Sequence, residues 1–136
     1  MKRNIKELLS SAKKALKYSY SPYSGYKVGA AVITGKGNIY SGTNVENASL
    51  GLTVCAERNA VFKAVMSGDK TIKSVCIICN RNGFPYPCGA CLQVISEFGK
   101  DMEIIVADKK LRTKRFKLTE LLPKAFSLNK KSDKKE

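Results

Sequence analysis

The sequence predicts an α/β domain with three layers, α/β/α, built around a mixed sheet of about five strands. Helical and apolar strand patterns alternate in the second half of the chain, and a hairpin pattern lies in the first half. Alternating strands and helices favour parallel neighbours joined by crossovers, whereas a hairpin contributes an antiparallel pair. The chain has 136 residues, 43% of them hydrophobic, which suits a single core. We therefore expect one domain over residues 1–128, followed by a disordered basic tail over residues 129–136.

The first half of the chain predicts one helix and then a hairpin. Apolar residues recur at helical spacing over residues 5–16, and Asn4 followed by Glu7 is typical of a capping box at a helix start. Two strand patterns follow, over residues 26–34 and 39–45, with a glycine-containing turn between them. This hairpin is the reason that we expect a mixed sheet.

Helices and strands alternate in the second half. The predicted elements are a helix over residues 55–67, a strand over 72–79, a helix over 88–98, a strand over 102–107, a short strand over 116–118 and a final turn over 119–122. Gly68 and Gly99 follow the two helices, at positions where glycine commonly ends a helix. The strands over 72–79 and 102–107 are strongly apolar, as is typical of the buried centre of a sheet.

The composition narrows the possible chemistry and location. The chain contains no histidine, which excludes Ser-His-Asp and Cys-His catalysis as well as Cys/His zinc fingers. Its five cysteines include two C-x-x-C pairs, a pattern that favours metal binding in a reducing compartment, and we expect a cytoplasmic protein. No apolar run approaches the length that crosses a bilayer, so we expect no membrane association.

The chain is strongly basic, with a formal net charge of +14 and many lysines and arginines after residue 108. A basic surface attracts nucleic acid without sequence preference. Runs of charge more often serve only to solvate a surface, and we therefore expect no nucleic-acid partner.

Three cysteines and one glutamate form the most informative motif of the chain. Cys55 stands two residues before Glu57, Cys88 and Cys91 form a C-x-x-C pair, and both groups lie at the start of a predicted helix. A helix N-terminus favours the thiolate form of cysteine. Structural zinc sites usually have four protein ligands, whereas catalytic sites keep three and leave one position to water. The motif therefore predicts a catalytic zinc site with Glu57 beside it as a proton carrier.

Arg58 follows Glu57 at the start of the same predicted helix. Three thiolates leave one excess negative charge on a divalent zinc ion, which weakens the metal as a Lewis acid. We expect the Arg58 guanidinium to donate hydrogen bonds to the ligand sulfurs and to draw charge away from them. The alternative is an arginine exposed on the surface.

A second C-x-x-C pair, Cys76 and Cys79, offers an alternative metal site. Together with Cys88 and Cys91 it resembles a four-cysteine zinc ribbon. The pair lies in an apolar strand pattern, where residues three apart point to opposite faces of a sheet. We therefore expect Cys76 and Cys79 to be buried core residues.

Five stretches of the chain, taken together, resemble one known family. They are the zinc motifs Cys55-Ala56-Glu57-Arg58 and Pro87-Cys88-Gly89-Ala90-Cys91, the segment from Tyr23 to Ala31, the segment Asn44-Val45-Glu46-Asn47-Ala48, and the segment from Leu121 to Phe126. In these stretches, the sequence resembles the small, homotetrameric, all-cysteine cytidine deaminases. The likeness extends from about residue 5 to residue 128.

The resemblance implies a fold, a reaction and a set of site residues. It implies a cytidine deaminase-like fold and the hydrolytic deamination of cytidine and deoxycytidine to uridine and deoxyuridine, in pyrimidine salvage. One zinc ion per subunit would be held by Cys55, Cys88 and Cys91, with Glu57 moving the protons. The implied substrate contacts are Asn44 and Glu46 to the ribose 3′-hydroxyl, Tyr26 against the substrate where the family commonly has phenylalanine, the Ala56 N–H to the base edge, and Phe126 from a neighbouring subunit.

Two other functions agree with parts of the sequence. One is a deaminase that acts on a base in RNA or single-stranded DNA, which would have to accommodate flanking nucleotides. A clamp on the ribose from Asn44 and Glu46 favours a free nucleoside instead. The other is a non-catalytic zinc module that binds nucleic acid, which requires four protein ligands and gives steeply salt-dependent binding.

Overall fold

A computed structural model of the chain describes residues 2–128. Its elements are, in chain order, α1 (Lys2–Leu16), β1 (Val28–Thr34), β2 (Ile39–Thr43), a 3₁₀ turn (Leu50–Leu52), α2 (Ala56–Met66), β3 (Ile72–Cys79), α3 (Gly89–Ser96), β4 (Glu103–Ala107), β5 (Thr113–Lys117) and α4 (Leu118–Leu121). The tail predicted over residues 129–136 lies outside the described residues.

The strands form one mixed, five-stranded sheet, as the sequence predicts, and their order is β2-β1-β3-β4-β5. β1 pairs antiparallel with β2 and β3, β3 pairs parallel with β4, and β4 pairs antiparallel with β5. The expectation of parallel pairs joined by crossovers therefore holds for β3 and β4, whereas β5, which follows β4 without a helix between them, pairs antiparallel. Residues 108–112 are too few for a crossover connection, so β5 returns as a hairpin strand.

Helices cover both faces of the sheet and complete the three predicted layers. α1 packs on one face against a cluster that contains Ala31 and Ile33, and α2 packs on the other face against a cluster that contains Ala30 and Val32. Because side chains alternate along a strand, consecutive β1 residues enter opposite clusters, and β1 is buried along its whole length. β1 thus packs against α1 on one face of the sheet and against α2 on the other.

Two glycines allow these helices to lie close to the sheet. A Cβ at Gly29 on β1 would lie 2.1 Å from the Ala12 carbonyl oxygen of α1. A Cβ at Gly42 on β2 would lie 2.4 Å from the Ala60 nitrogen of α2. Neither position has room for a side chain while the helix stays in place.

Two predicted boundaries are wrong. α1 begins at Lys2, so Asn4 lies inside its first turn and not at a cap. Lysine and arginine are good helix formers, and nothing at residues 2 and 3 opposes helical geometry. β5 begins at Thr113 and not at residue 116, because its pairing with β4 reaches back to Thr113. The basic residues before 116 show no strand pattern in the sequence. Across residues 2–128, none of the helices is long and apolar enough to cross a membrane.

Candidate active site

Three cysteines from two helix starts meet at one point. Cys55 is the N-cap residue of α2, Cys88 is the N-cap residue of α3, and Cys91 lies in the first turn of α3. Their three sulfur atoms lie within 4.8 Å of one another, and the Cys91 backbone N–H donates to Cys88 Sγ at 3.4 Å. Thiolate sulfur is a preferred ligand of zinc, and three such ligands leave one position of a tetrahedral ion for water. The donor set fits a catalytic zinc ion.

Arg58 lies against this group of sulfurs, as predicted. Its Nη2 donates to Cys55 Sγ at 3.6 Å and to the Thr53 carbonyl oxygen at 3.3 Å. A hydrogen bond from Cys91, followed by the contact with Arg58, lowers the pKa of Cys55 to about 5 despite its partial burial. The same shared hydrogen bond with Cys55 raises the pKa of Cys91. The environment therefore favours a thiolate at Cys55.

Glu57 lies beside the sulfurs and is only 5% exposed. Burial is the largest cause that raises the pKa of its carboxyl to about 7, and the negative charge of Cys55 adds to the increase. A carboxyl group with a pKa near neutrality can both accept and release a proton at physiological pH. Glu57 therefore has the environment that a proton carrier requires.

A cavity of about 330 Å³ opens in front of Glu57 and the metal-binding cysteines. Its lining brings together the predicted residues Tyr26, Asn44, Glu46, Cys55, Ala56, Glu57 and Cys88. Residues from the segment before β1, from the loop between β2 and α2, and from the starts of α2 and α3 thus converge on one concave surface. A larger cavity of about 400 Å³ lies near Ile5 and Arg115, away from the cysteines, and size does not decide which one is the site.

Asn44 lines the cavity and is held by three hydrogen bonds. Its Nδ2 donates to the Tyr26 carbonyl oxygen at 2.8 Å, and its Oδ1 accepts from the Val28 N–H at 3.0 Å and from the Ser19 hydroxyl. An amide group carries two N–H donors, so one Nδ2 hydrogen stays available to a ligand. Asn44 is only 7% exposed.

Glu46 is held by the chain segment just before β1. Its Oε1 accepts from the N–H groups of Tyr23 at 3.0 Å and Ser24 at 3.2 Å, and its Oε2 accepts from the Ser24 hydroxyl. The hydrogen bond from the Ser24 hydroxyl is the largest cause that lowers the pKa of Glu46. A carboxylate offers about four lone-pair sites, so one remains for a ligand hydroxyl.

Comparisons with known proteins agree with this geometry. The family profile described as "Cytidine and deoxycytidylate deaminase zinc-binding region" matches residues 2–107. The chain belongs to the cytidine and deoxycytidylate deaminase family. The cytidine deaminase of Sporosarcina psychrophila is 40% identical over 125 residues, which cover 91% of this chain and 92% of the relative.

Solved structures of this family share the fold. The cytidine deaminase of Burkholderia pseudomallei aligns with a TM-score of 0.84 at 40% identity, over 88% of this chain and 97% of that chain. The cytidine deaminase of Mycobacterium tuberculosis aligns with a TM-score of 0.78 at 35% identity, over 90% of this chain and 97% of that chain. The match to a zinc-binding family and the cysteine geometry together identify the metal as zinc.

The second cysteine pair is part of the core of this deaminase fold. Cys76 lies in the cluster beneath α1, and Cys79 lies in the cluster on the opposite face, as the alternation along a strand predicts. Burial raises the pKa of the Cys76 thiol to about 12. Among residues 2–128, the cysteines grouped closely enough to share a metal ion are 55, 88 and 91. The alternative of a four-cysteine ribbon is therefore wrong.

Phe126 lies outside the cavity of its own chain. Its side chain is 69% exposed, and its carbonyl oxygen accepts from Gln93 Nε2 at 3.0 Å. Two residues earlier, Lys124 has a φ of 54°, in the left-handed region that glycine adopts without strain.

Six residues that line the cavity are not predicted from the sequence. They are Ser24, Val28, Thr53, Ile77, Pro85 and Tyr86. Pro85 and Tyr86 directly precede the Pro87-Cys88 motif, and this proximity could have indicated them. The sequence predicts Ile77 only as part of a buried strand, because the residues on either side of it are also apolar and do not indicate which face of the sheet lies against the cavity.

Proposed function

We propose that this chain is a zinc-dependent enzyme that hydrolyses cytidine and deoxycytidine to uridine and deoxyuridine with release of ammonia. One observation carries the proposal: three cysteine sulfurs within 4.8 Å of one another stand beside a buried carboxyl group in a cavity of about 330 Å³. Its family relatives include proteins named cytidine deaminase that match over most of both chains. The reaction replaces the amino group on C4 of the pyrimidine with the oxygen of water.

Cys55, Cys88 and Cys91 would hold the zinc ion, and Arg58 would fix the orientation of the Cys55 sulfur. When bound, zinc supplies a Lewis acid that makes water a nucleophile at neutral pH. Glu57 would take one proton from that water and deliver it to N3 of the ring. It would then take the remaining proton from the oxygen that has become bonded to C4 and pass it to the amino group, so that the C4–N bond breaks, ammonia leaves and C4 keeps a carbonyl oxygen. Burial of Glu57 keeps its pKa in the range in which both transfers are accessible.

The part of the cavity lined by Asn44 and Glu46 would hold the sugar. The free Nδ2 hydrogen of Asn44 can donate to the ribose 3′-hydroxyl, and the remaining lone pair of Glu46 can accept from it. Tyr26 would pack against the substrate, and the Ala56 N–H at the start of α2 would contact the base edge. Together, the contacts to the sugar and to the base would orient the nucleoside with C4 toward the cysteines.

We further propose that the enzyme is a cytoplasmic homotetramer in pyrimidine salvage. The exposed Phe126 would enter the site of a neighbouring subunit and lie against the base. Phe126 is 69% exposed in the single chain, so its ring is accessible to a neighbouring subunit.

The test is a metal assay paired with a spectrophotometric assay of purified protein. We expect one zinc per subunit and conversion of cytidine to uridine, with little or no action on a cytosine-containing oligonucleotide. Preferential action on the oligonucleotide would show a deaminase of polynucleotides instead. Zinc with no deamination of either substrate, together with salt-dependent binding to nucleic acid, would show the non-catalytic module.

A further inference from the structure

The short segment before β1, residues 23–27, forms one wall of the sugar end of the cavity. It supplies Tyr26 to the lining, and through Ser24 and Tyr23 it donates three hydrogen bonds to the Glu46 carboxylate. Gly25 has a φ of +68°, so this segment makes a tight bend that the backbone of most residues would oppose. Whatever holds residues 23–27 in place also holds Glu46.

The side chains of Asn80 and Arg81, which directly follow β3, contact this segment at four points. Asn80 Nδ2 donates to the Gly25 carbonyl oxygen at 3.2 Å, and Asn80 Oδ1 accepts from the Lys27 N–H at 3.0 Å. Arg81 Nη2 donates to the Ser24 carbonyl oxygen at 3.1 Å. The Arg81 guanidinium carbon also lies 5.1 Å from the centroid of the Tyr26 ring, within the range of a cation–π contact.

Arg81 thus contacts two residues that act on opposite sides of the same bend. Ser24 is a hydrogen-bond partner of Glu46, and Tyr26 is a wall of the cavity. Arg81 is itself anchored, because its carbonyl oxygen accepts from the Lys109 N–H at 3.0 Å in the loop between β4 and β5. An arginine with a planar fork is suited to such a double contact, since it can donate and stack at once.

We propose that Arg81 is a positioning residue that fixes the sugar end of the site by holding Ser24 and Tyr26. This inference rests on the proposed function. Arg81 acts through other residues and is not part of the cavity lining or of the metal group. Its loss should therefore weaken the binding of the nucleoside and leave the chemical step unchanged.

The expected kinetic effect is a change in KM and not in kcat. Arg81→Ala removes one charge-assisted hydrogen bond and one cation–π contact, which corresponds to about a ten-fold rise in the KM for cytidine. Arg81 belongs neither to the cavity lining nor to the group of metal-binding cysteines, so kcat and zinc content should stay within about two-fold of wild type. Arg81→Lys keeps the charge but not the planar fork, and its KM should lie between the two.

Arg115→Ala is the matched control. Arg115 is also a partly exposed arginine with a short ion pair, to Glu103 at 2.7 Å, but it lies on the opposite face of the sheet near α1. It should leave KM unchanged. Thermal unfolding of each variant separates a loss of positioning from a loss of fold, and calorimetric binding of the product uridine gives a readout that is independent of turnover.

A double-mutant cycle tests whether Arg81 acts through Glu46. If it does, Arg81→Ala should raise the KM of the Glu46→Gln enzyme much less than that of wild type, because the contact it supports is already impaired. Three results would overturn the proposal: an unchanged KM and uridine affinity in Arg81→Ala, a fall in kcat with loss of zinc, or fully independent effects in the cycle. A wild-type enzyme that does not deaminate cytidine would refute the proposed function itself.

Discussion

Gly42 lies on β2 directly against the first turns of α2, the helix that Cys55 caps. A Cβ at this position would lie 2.4 Å from the Ala60 nitrogen and 2.7 Å from the Ala56 carbonyl oxygen. Non-bonded atoms are in favourable contact at about 3.5 Å, so Gly42→Ala must move α2 away from β2 by about 1 Å. Overpacking of this kind lowers the free energy of unfolding by about 1–3 kcal/mol.

This displacement should reach the active site. Ala56 and Glu57 open α2, so a shift of the helix moves the proton carrier relative to the cysteines of α3. A misplacement of about 1 Å can reduce a rate by about 100-fold. We therefore expect Gly42→Ala to lower kcat for cytidine by about 100-fold and to reduce the zinc content.

The matched control is Gly29→Ala, on the other face of the sheet. Its Cβ would lie 2.1 Å from the Ala12 carbonyl oxygen of α1, a conflict at least as severe. It should lower the free energy of unfolding, measured by denaturant titration, but leave zinc content and kcat per folded molecule near wild type. The reasoning fails if Gly42→Ala keeps wild-type kcat and zinc, or if Gly29→Ala loses both to the same degree.

Three other perturbations separate the proton carrier, the metal and the fold. Glu57→Gln cannot carry a proton, so kcat should fall by about 10²–10⁴-fold while zinc, measured by atomic absorption, stays bound; a zinc-loaded variant with wild-type kcat would contradict the assigned role. Cys91→Ser should lose zinc and Cys76→Ser should keep it, and equal losses in the two would argue against the ligand set. The hydrogen bond from Asn38 is the largest cause that lowers the pKa of the buried Asp69 carboxyl. The ionised carboxylate therefore stabilises the fold at pH values above the ordinary pKa of aspartate, about 3.9. This stabilisation is lost as the pH falls below that value. Denaturant unfolding at pH 7 and pH 3 should show a smaller loss in Asp69→Asn than in wild type, and an equal loss would refute the linkage.

The metal group could be predicted from the sequence because its ligands lie in short motifs at helix starts. Spacing alone placed Cys55, Cys88 and Cys91 at N-termini, and the period of a strand alone separated Cys76 from Cys79. The Cys88–Cys91 spacing and the alternation along the strand are local geometry. The meeting of Cys55 with the pair in α3 is not local, and it was expected from the known ligand signature of zinc deaminases. The fold class followed in the same way from the periods of the helices and strands.

The walls of the cavity could not be predicted in this way. Arg81 contacts Ser24 across 57 positions of the chain, and Ser24 contacts Glu46 across 22. Such contacts depend on the order of strands in the sheet, which the sequence pattern leaves open. The same limit applies to β5, whose exposed basic residues carry no alternation of apolar side chains and whose place is fixed only by pairing with β4.

One β-bridge joins the chain segment that carries Glu46 to the segment that carries Cys55. The Val45 N–H donates to the Val54 carbonyl oxygen and the Val54 N–H donates to that of Val45, both at 3.0 Å. Glu46 follows the first valine and Cys55 follows the second, so the proposed sugar contact and the first metal ligand each lie one residue from this bridge. Backbone pairing thus sets their separation without any contact between the two side chains. The bridge closes residues 46–53 into a loop. Changes in that loop that leave the bridge intact can therefore alter the rim of the cavity without changing the distance between Glu46 and Cys55.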